Sequence, residues 1–253
     1  MRGMSTISFG IDVGGSGIKG AKVDLDTGEF IGDRIKILTP HPATPEAVAQ
    51  TVAEIIDIAE WDGPVGITLP CVIRDHVARS AANIDPSWIG TNVTELFGAH
   101  LGDRPVSVLN DADAAGLAEA RYGTDAAREG AVIFLTFGTG IGSAFLMNGH
   151  LFPNSEIGHI EVDGKEAEHR ASSAVKEKKD LSWKKWAKQV SKVLIAYEKL
   201  FSPSLFIVGG GISRKFDKWV PLLTCETPVV AAELKNRAGI VGAAMAANEE
   251  FQP

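Results

Sequence analysis

The chain has 253 residues, enough for one large or two small domains, and its 45% hydrophobic and 23% charged residues are the proportions of a globular protein. Its net charge of −7 argues against general nucleic-acid binding, and its two cysteines, Cys71 and Cys225, are too few for a disulfide framework or a cysteine-rich zinc site. The apolar runs at 132–135 and 205–208 are far too short to cross a bilayer, and the opening Met-Arg-Gly-Met-Ser-Thr lacks the apolar core of a signal peptide, so a cytoplasmic protein without a membrane segment is expected.

Along the first 40 residues apolar and polar side chains alternate, with turn residues at 14–17 and 26–28, which predicts three consecutive antiparallel strands. The period then changes. Thr44-Pro45-Glu46 has the form of an N-cap, a proline at the first helical position and an acid suited to the helix dipole, and Val48, Val52, Ile55 and Ile56 follow at helical spacing. Next come a buried strand at 65–69, another at 72–78, a helix at 92–101, a strand at 106–109 running into Asn110-Asp111, and a helix at 112–122. After Glu129 the pattern restarts with strands at 131–137 and 141–147, a polar stretch, a long helix at 183–201, a strand at 205–208 and a closing helix at 240–248. The expected organisation is two α/β lobes, a smaller one over 1–110 that the C-terminal segment 240–253 could complete, and a larger one over 111–239.

Each lobe opens with a glycine-rich turn between two strands: Gly10-Ile11-Asp12-Val13-Gly14-Gly15-Ser16-Gly17-Ile18-Lys19 and Leu135-Thr136-Phe137-Gly138-Thr139-Gly140-Ile141-Gly142. Glycine permits positive φ and holds no side chain against a ligand, so such turns can present backbone N–H groups to phosphate oxygens. They also serve as plain tight hairpins. Neither has the Gly-Lys-Ser/Thr ending of a P-loop, and a strand rather than a helix follows each. Asp111, just past the end of an apolar strand, has the position of a general base in an α/β fold and equally that of an N-cap. Asn83 and Asn110 carry amides able to donate to and accept from vicinal hydroxyls, although asparagine is also a turn former. Glu156 and His159 are three apart, on one side of any helical turn. Between Lys176 and Lys192 stand seven lysines against two acids, with Lys184, Lys188 and Lys192 recurring every four residues as one helical stripe; Arg214 and Lys215 form a smaller patch beside Gly209-Gly210-Gly211. A polyanion could track that stripe; a solvated helix face is the plainer reading.

The ordered set Gly10-Ile11-Asp12-Val13-Gly14-Gly15, Asn83, Leu109-Asn110-Asp111-Ala112, Thr136 to Gly142, Glu156-Ile157-Gly158-His159 and Val208-Gly209-Gly210-Gly211-Ile212-Ser213 resembles the ROK family of sugar kinases and repressors. The resemblance implies a two-lobed actin/hexokinase-like (ribonuclease H-like) α/β fold with a cleft between the lobes. It implies Asp111 as catalytic base, Asn83, Asn110, Glu156, His159 and Glu168 as sugar ligands, and Asp12 as a Mg²⁺ partner through water. It assigns phosphate binding to Gly14, Gly15, Ser16, Gly17, Thr136, Gly138, Thr139, Gly140 and Gly142, and nucleotide binding to Gly209, Gly210 and Gly211. Lys19 faces either the donor phosphates or solvent. Many ROK proteins carry a cysteine-rich zinc motif after Glu-x-Gly-His; residues 160–169 contain no cysteine, so structural zinc is not expected. No helix-turn-helix precedes the first glycine turn, which favours an enzyme over a repressor. The segment Phe-Ser-Pro-Ser-Leu-Phe-Ile-Val-Gly-Gly-Gly-Ile-Ser and the tail Arg-Ala-Gly-Ile-Val-Gly-Ala-Ala resemble the branch whose members phosphorylate glucose, and in some cases mannose, from polyphosphate or ATP, as homodimers. An ATP-only kinase for another hexose such as N-acetylmannosamine, and a sugar-sensing protein without turnover, are the alternatives.

Overall fold

The computed structural model describes residues 7–253, so the opening six residues, on which the signal-peptide reading rests, lie outside it. Two compact units emerge among the described residues, one formed by 7–118 with 237–253, the other by 119–236.

In the first unit, β1 (Ile7–Gly14), β2 (Gly17–Asp24) and β3 (Glu29–Ile37) form an antiparallel meander, and β4 (Val65–Leu69) and β7 (Val106–Asn110) extend it in parallel, giving the order β3-β2-β1-β4-β7. Helix α1 (Pro45–Ile58) starts where the sequence predicts, with the Thr44 hydroxyl accepting from the Ala47 N–H, and buries Val48, Val52, Ile55 and Ile56 among Phe9, Ile11 and Val13. Helix α2 (Val93–Leu101) is capped by Asn92. Because side chains alternate along a strand, Gly10 and Asp12 of β1 point to the face opposite Phe9 and Ile11. There the C-terminal helix α7 (Ala238–Asn248) lies directly on the sheet. A Cβ at Gly10 would run into the Ile240 carbonyl and one at Gly66 into that of Ala243, so these glycines permit backbone-to-backbone packing.

One expected strand is corrected. Residues 72–78 form not a single strand but a small hairpin, β5 (Ile73–Arg74) and β6 (Val77–Ala78), because Asp75 and His76 adopt φ of 52° and 63° and reverse the chain.

The chain passes to the second unit within α3 (Asp111–Tyr122). That unit repeats the topology: β8 (Ala131–Phe137), β9 (Ile141–Met147) and β10 (His150–Phe152) form a meander, and β11 (Leu205–Gly209) and β12 (Val229–Ala231) add in parallel, in the order β10-β9-β8-β11-β12. Two short helices, α4 (Ala167–Ala171) and α5 (Ser173–Lys178), precede the long α6 (Trp183–Phe201), which Ser182 caps. Its apolar side buries Trp186, Val190, Val193, Leu194 and Tyr197 against the sheet, where Phe137, Trp186 and Trp219 meet edge to face. No helix among the described residues is long and apolar enough to cross a membrane.

Candidate active site

In the first unit, the parallel register places Asp12 opposite Thr68, Thr68 opposite Leu109, and Leu69 opposite Asn110. Asp12, Thr68 and the Asn110-Asp111 pair therefore stand at the carboxyl ends of three adjacent parallel strands, about 5 Å apart from one strand to the next, where open α/β sheets bind ligands. Asp12 and Lys19 are also a register pair across the β1–β2 hairpin, and the Lys19 ammonium lies 3.2 Å from Asp12 Oδ2. The Thr68 hydroxyl donates to Asp12 Oδ1 at 3.2 Å. Lys19 is thus half of a partly buried ion pair at the root of the first glycine turn.

That turn is held from behind by the buried Thr39 hydroxyl, which donates to the Gly14 carbonyl. Gly14, Gly15 and Gly17 all keep negative φ, as do Gly138, Gly140 and Gly142, so glycine serves these turns through absence of bulk rather than left-handed backbone. A Cβ on Gly138 would meet nothing within 4 Å, and one on Gly15 would come no closer than 3.7 Å to the Asn83 carbonyl, which leaves both turns approachable. Asn83 itself is exposed beside Gly15 with φ of 60°, a conformation asparagine tolerates better than most residues.

Asn110 and Asp111 divide the two tasks that the sequence leaves open. The nearly buried Asn110 Oδ1 accepts from the N–H groups of Ala112 at 2.8 Å and Asp113 at 3.3 Å, while its Nδ2 donates to the Cys71 carbonyl at 3.2 Å. It is the N-cap that joins the end of β7 to the start of α3. Asp111, the first residue of that helix, is exposed and accepts through Oδ1 from the Ala112 N–H at 2.8 Å. Its carboxylate is thus oriented at a rigid strand–helix junction yet open to solvent.

In the second unit, a short 3-10 turn, Ile157–His159, follows Glu156, and the buried Tyr197 of α6 donates to the Ile157 carbonyl at 2.8 Å, pinning the turn. Burial pushes the Glu156 carboxyl above its ordinary value; nearby His159 opposes that shift and Glu168 adds to it. His159, Glu166 and Glu168 can bring one ligand atom each to within 4.8 Å of one another, and His169 joins them at 3.2 Å from Glu166 and 3.6 Å from Glu168. Such a mixed imidazole and carboxylate set can accept and donate to several hydroxyls of one polyol. Glu168 also accepts from the Ile141 N–H at 3.3 Å, and Gly140 packs against its carboxylate, so the cluster is tied to the second glycine turn.

Thr136, the last but one residue of β8, is in register with Gly209 of β11. Gly210, at φ of 80°, lies against the Phe137 backbone, which sets the Gly209–Gly211 turn beside the one at Gly138. The lysine stripe divides. Lys192 is paired with Asp163 at 2.6 Å, Lys184 is exposed, and Lys188 lines a concavity beside α5; Arg214 and Lys215 lie exposed on the 3-10 segment Gly211–Lys218. Sequence reasoning passes over Thr68, Glu166 and His169, none of which stands in a recognisable pattern; the alternation of β4 and the register with Asp12 are the signals that could have found Thr68.

Residues 8–174 match the model of the ROK family. The chain belongs to the ROK family. This ROK chain is similar to the polyphosphate glucokinase of Mycobacterium tuberculosis (strain CDC 1551 / Oshkosh), with 65% identity over 238 residues that cover 94% of this chain and 90% of that protein. Its structure is similar to that of the inorganic polyphosphate/ATP-glucomannokinase from Arthrobacter sp. strain KM, at 49% identity and a TM-score of 0.90, covering 97% of this chain and 100% of that one. It is also similar to a ROK family glucokinase from Streptomyces griseus in complex with glucose and AMPPNP, at 26% identity and a TM-score of 0.78, covering 96% and 99%. The architecture of the ROK chain is therefore the actin/hexokinase-like α/β fold that the sequence implies.

Proposed function

We propose that this chain transfers the terminal phosphoryl group of inorganic polyphosphate to the 6-hydroxyl of glucose. The observation that carries this reading is the 65% identity, over 94% of the chain, to a protein named polyphosphate glucokinase. The site chemistry supports it. Asp111 accepts the hydroxyl proton as the sugar oxygen bonds to phosphorus; the bond from phosphorus to the bridging oxygen breaks, and the donor leaves one unit shorter. Asn83 and the remaining N–H of Asn110 Nδ2 serve sugar hydroxyls, as do Glu156, His159 and Glu168. The turns at Gly14, Gly15, Ser16 and Gly17 and at Gly138, Thr139, Gly140 and Gly142, with Thr136, face phosphate oxygens.

Asp12 offers one carboxylate beside the Thr68 hydroxyl and the Lys19 ammonium. A single carboxylate completed by waters and phosphate oxygens is the kind of donor set Mg²⁺ takes, so Asp12 fits that ion. When bound there, Mg²⁺ would offset charge on the donor phosphates, a task Lys19 shares as a point charge.

ATP is a second donor in this reading, supported by the turn at Gly209, Gly210 and Gly211 and by the AMPPNP of the S. griseus relative. Mannose is a second acceptor, supported by the name of the Arthrobacter relative. The homodimer rests on the family resemblance alone, and the cytoplasmic location on the sequence's lack of a signal-peptide core or membrane-length apolar run. Replacing Asp111→Ala is expected to lower kcat by about 10²–10⁴-fold, the usual contribution of a general base, while glucose binding measured by calorimetry persists. Retained turnover would remove Asp111 from the role of base.

A further inference from the structure

Beside α5 the second unit carries an open concavity of about 310 Å³ lined by Lys165, Arg170, Lys179, Lys185, Lys188 and Gln189, the four lysines exposed, with only Val175 and Leu181 as apolar neighbours. Five cations and no carboxylate are among its lining residues. Elsewhere the fold neutralises a nearby lysine directly, since Lys192 is bound to Asp163 at 2.6 Å. Around the concavity it does not. Arg170 is fixed by neutral acceptors, the Val162 carbonyl at 3.1 and 2.8 Å and the Gln189 side-chain oxygen at 2.9 Å. Lys165 is held below the ordinary lysine range, foremost by the charge of Lys179 beside it. Five like charges around one concavity, one of them fixed by backbone carbonyls, raise the local concentration of anions.

The shape of the anion follows from the lining. No aromatic face is present on which a nucleoside base could stack, which disfavours both a nucleotide and a single-stranded nucleic acid. Five cations exceed what one orthophosphate needs. The cavity is also connected to the candidate phosphate turn by a single short element: α5 begins with Ser173 Oγ and the Ala174 N–H donating to the Gly138 carbonyl at 2.9 and 3.1 Å, and it runs past Val175 to Lys179. Six helical residues span about 9 Å.

We propose that this cavity is an anchoring subsite for inorganic polyphosphate, holding a stretch of the chain remote from the phosphoryl group being transferred. The subsite rests on the donor assigned under Proposed function. It gives long chains an advantage over short ones, because a short oligophosphate that reaches the glycine turn leaves the cavity empty. It also shifts the basic track from the stripe of Lys184, Lys188 and Lys192 to the set Lys165, Lys179, Lys185 and Lys188, with Lys188 common to both.

The test is the triple variant Lys165→Gln, Lys179→Gln, Lys185→Gln, compared with its Lys→Arg counterpart. Steady-state KM is measured for long-chain polyphosphate and for short oligophosphates over a range of salt, together with direct equilibrium binding of both. The glutamine variant is expected to raise KM for long chains about tenfold or more and to lose most of the preference for length. The slope of log KM against log salt should become shallower by about 2, at ~0.7 for each phosphate charge that the three lysines no longer neutralise. The arginine variant should retain all three properties, and glucose binding reports that the glutamine variant is folded. A folded glutamine variant that keeps the length preference and the salt slope overturns the subsite. The donor assignment fails separately: unsubstituted protein that binds long-chain polyphosphate through these lysines but does not phosphorylate glucose from it overturns that assignment and upholds the subsite.

Discussion

Asn110 and Asp111 are adjacent in sequence and differ in everything that decides their use. One is nearly buried and bonded to Cys71, Ala112 and Asp113; the other is exposed at the first position of α3. Sequence alone leaves Asp111 suspended between cap and base, because the cap preference of asparagine and aspartate is nearly equal. Only the geometry assigns the cap to its neighbour. Glu156 permits a sharper prediction. Burial raises its folded-state pKa above the ordinary value of 4.5, so the folded chain holds that proton more tightly than the unfolded one. Its contribution to stability is therefore most favourable below 4.5 and declines as pH rises through that value to the raised one, leaving a cost at neutral pH. Glu156→Gln should melt above the unsubstituted protein at pH 7, with the gap closing in acid, while its glucose affinity falls. Thermal unfolding across pH checks the first part, and a gap independent of pH would contradict it.

At the scale of elements, most of the framework was legible because each long element carries its own signals. Thr44-Pro45-Glu46 opens α1, Ser182 opens α6, and period-2 alternation marks β1 to β3. What escaped was short or held by tertiary contacts. Helices α4 and α5 have 5 and 6 residues, fewer than a periodicity window needs, and their junction is fixed by the Trp186 indole, which donates to the carbonyls of Ala171 and Ser172. The reversal between β5 and β6 uses Asp75 and His76 rather than glycine and so left no signature. Candidate site residues followed the same division: Asp12, Asp111, Glu156 and His159 stand in recognisable motifs, whereas Glu166 and His169 join the cluster only because the chain folds back at 161–166. The link from α6 to that cluster is Tyr197. Tyr197→Phe removes the hydrogen bond to the Ile157 carbonyl, and the expected loss is about 1–2 kcal/mol in denaturant unfolding, with a severalfold higher KM for glucose and a smaller change in kcat. Unaltered sugar KM would show that the Glu156–His159 turn keeps its geometry without α6.

For the whole molecule, the topology occurs twice: an antiparallel meander opened by a glycine turn, followed by two parallel strands. Both turns use glycine for clearance, and what distinguishes them is what surrounds them: an acid–lysine pair in the first unit, a histidine–carboxylate cluster and a cationic concavity in the second. A chain with a net charge of −7 repels a polyanion at long range, so capture of polyphosphate has to come from local cations and should weaken steeply with salt. Polyphosphate alone should suffice as donor. The purified protein, freed of nucleotide, should convert glucose to glucose 6-phosphate with long-chain polyphosphate and Mg²⁺ as the sole additions, shortening the chain by one phosphate for each sugar. Formation of glucose 6-phosphate from ATP but none from polyphosphate would contradict it.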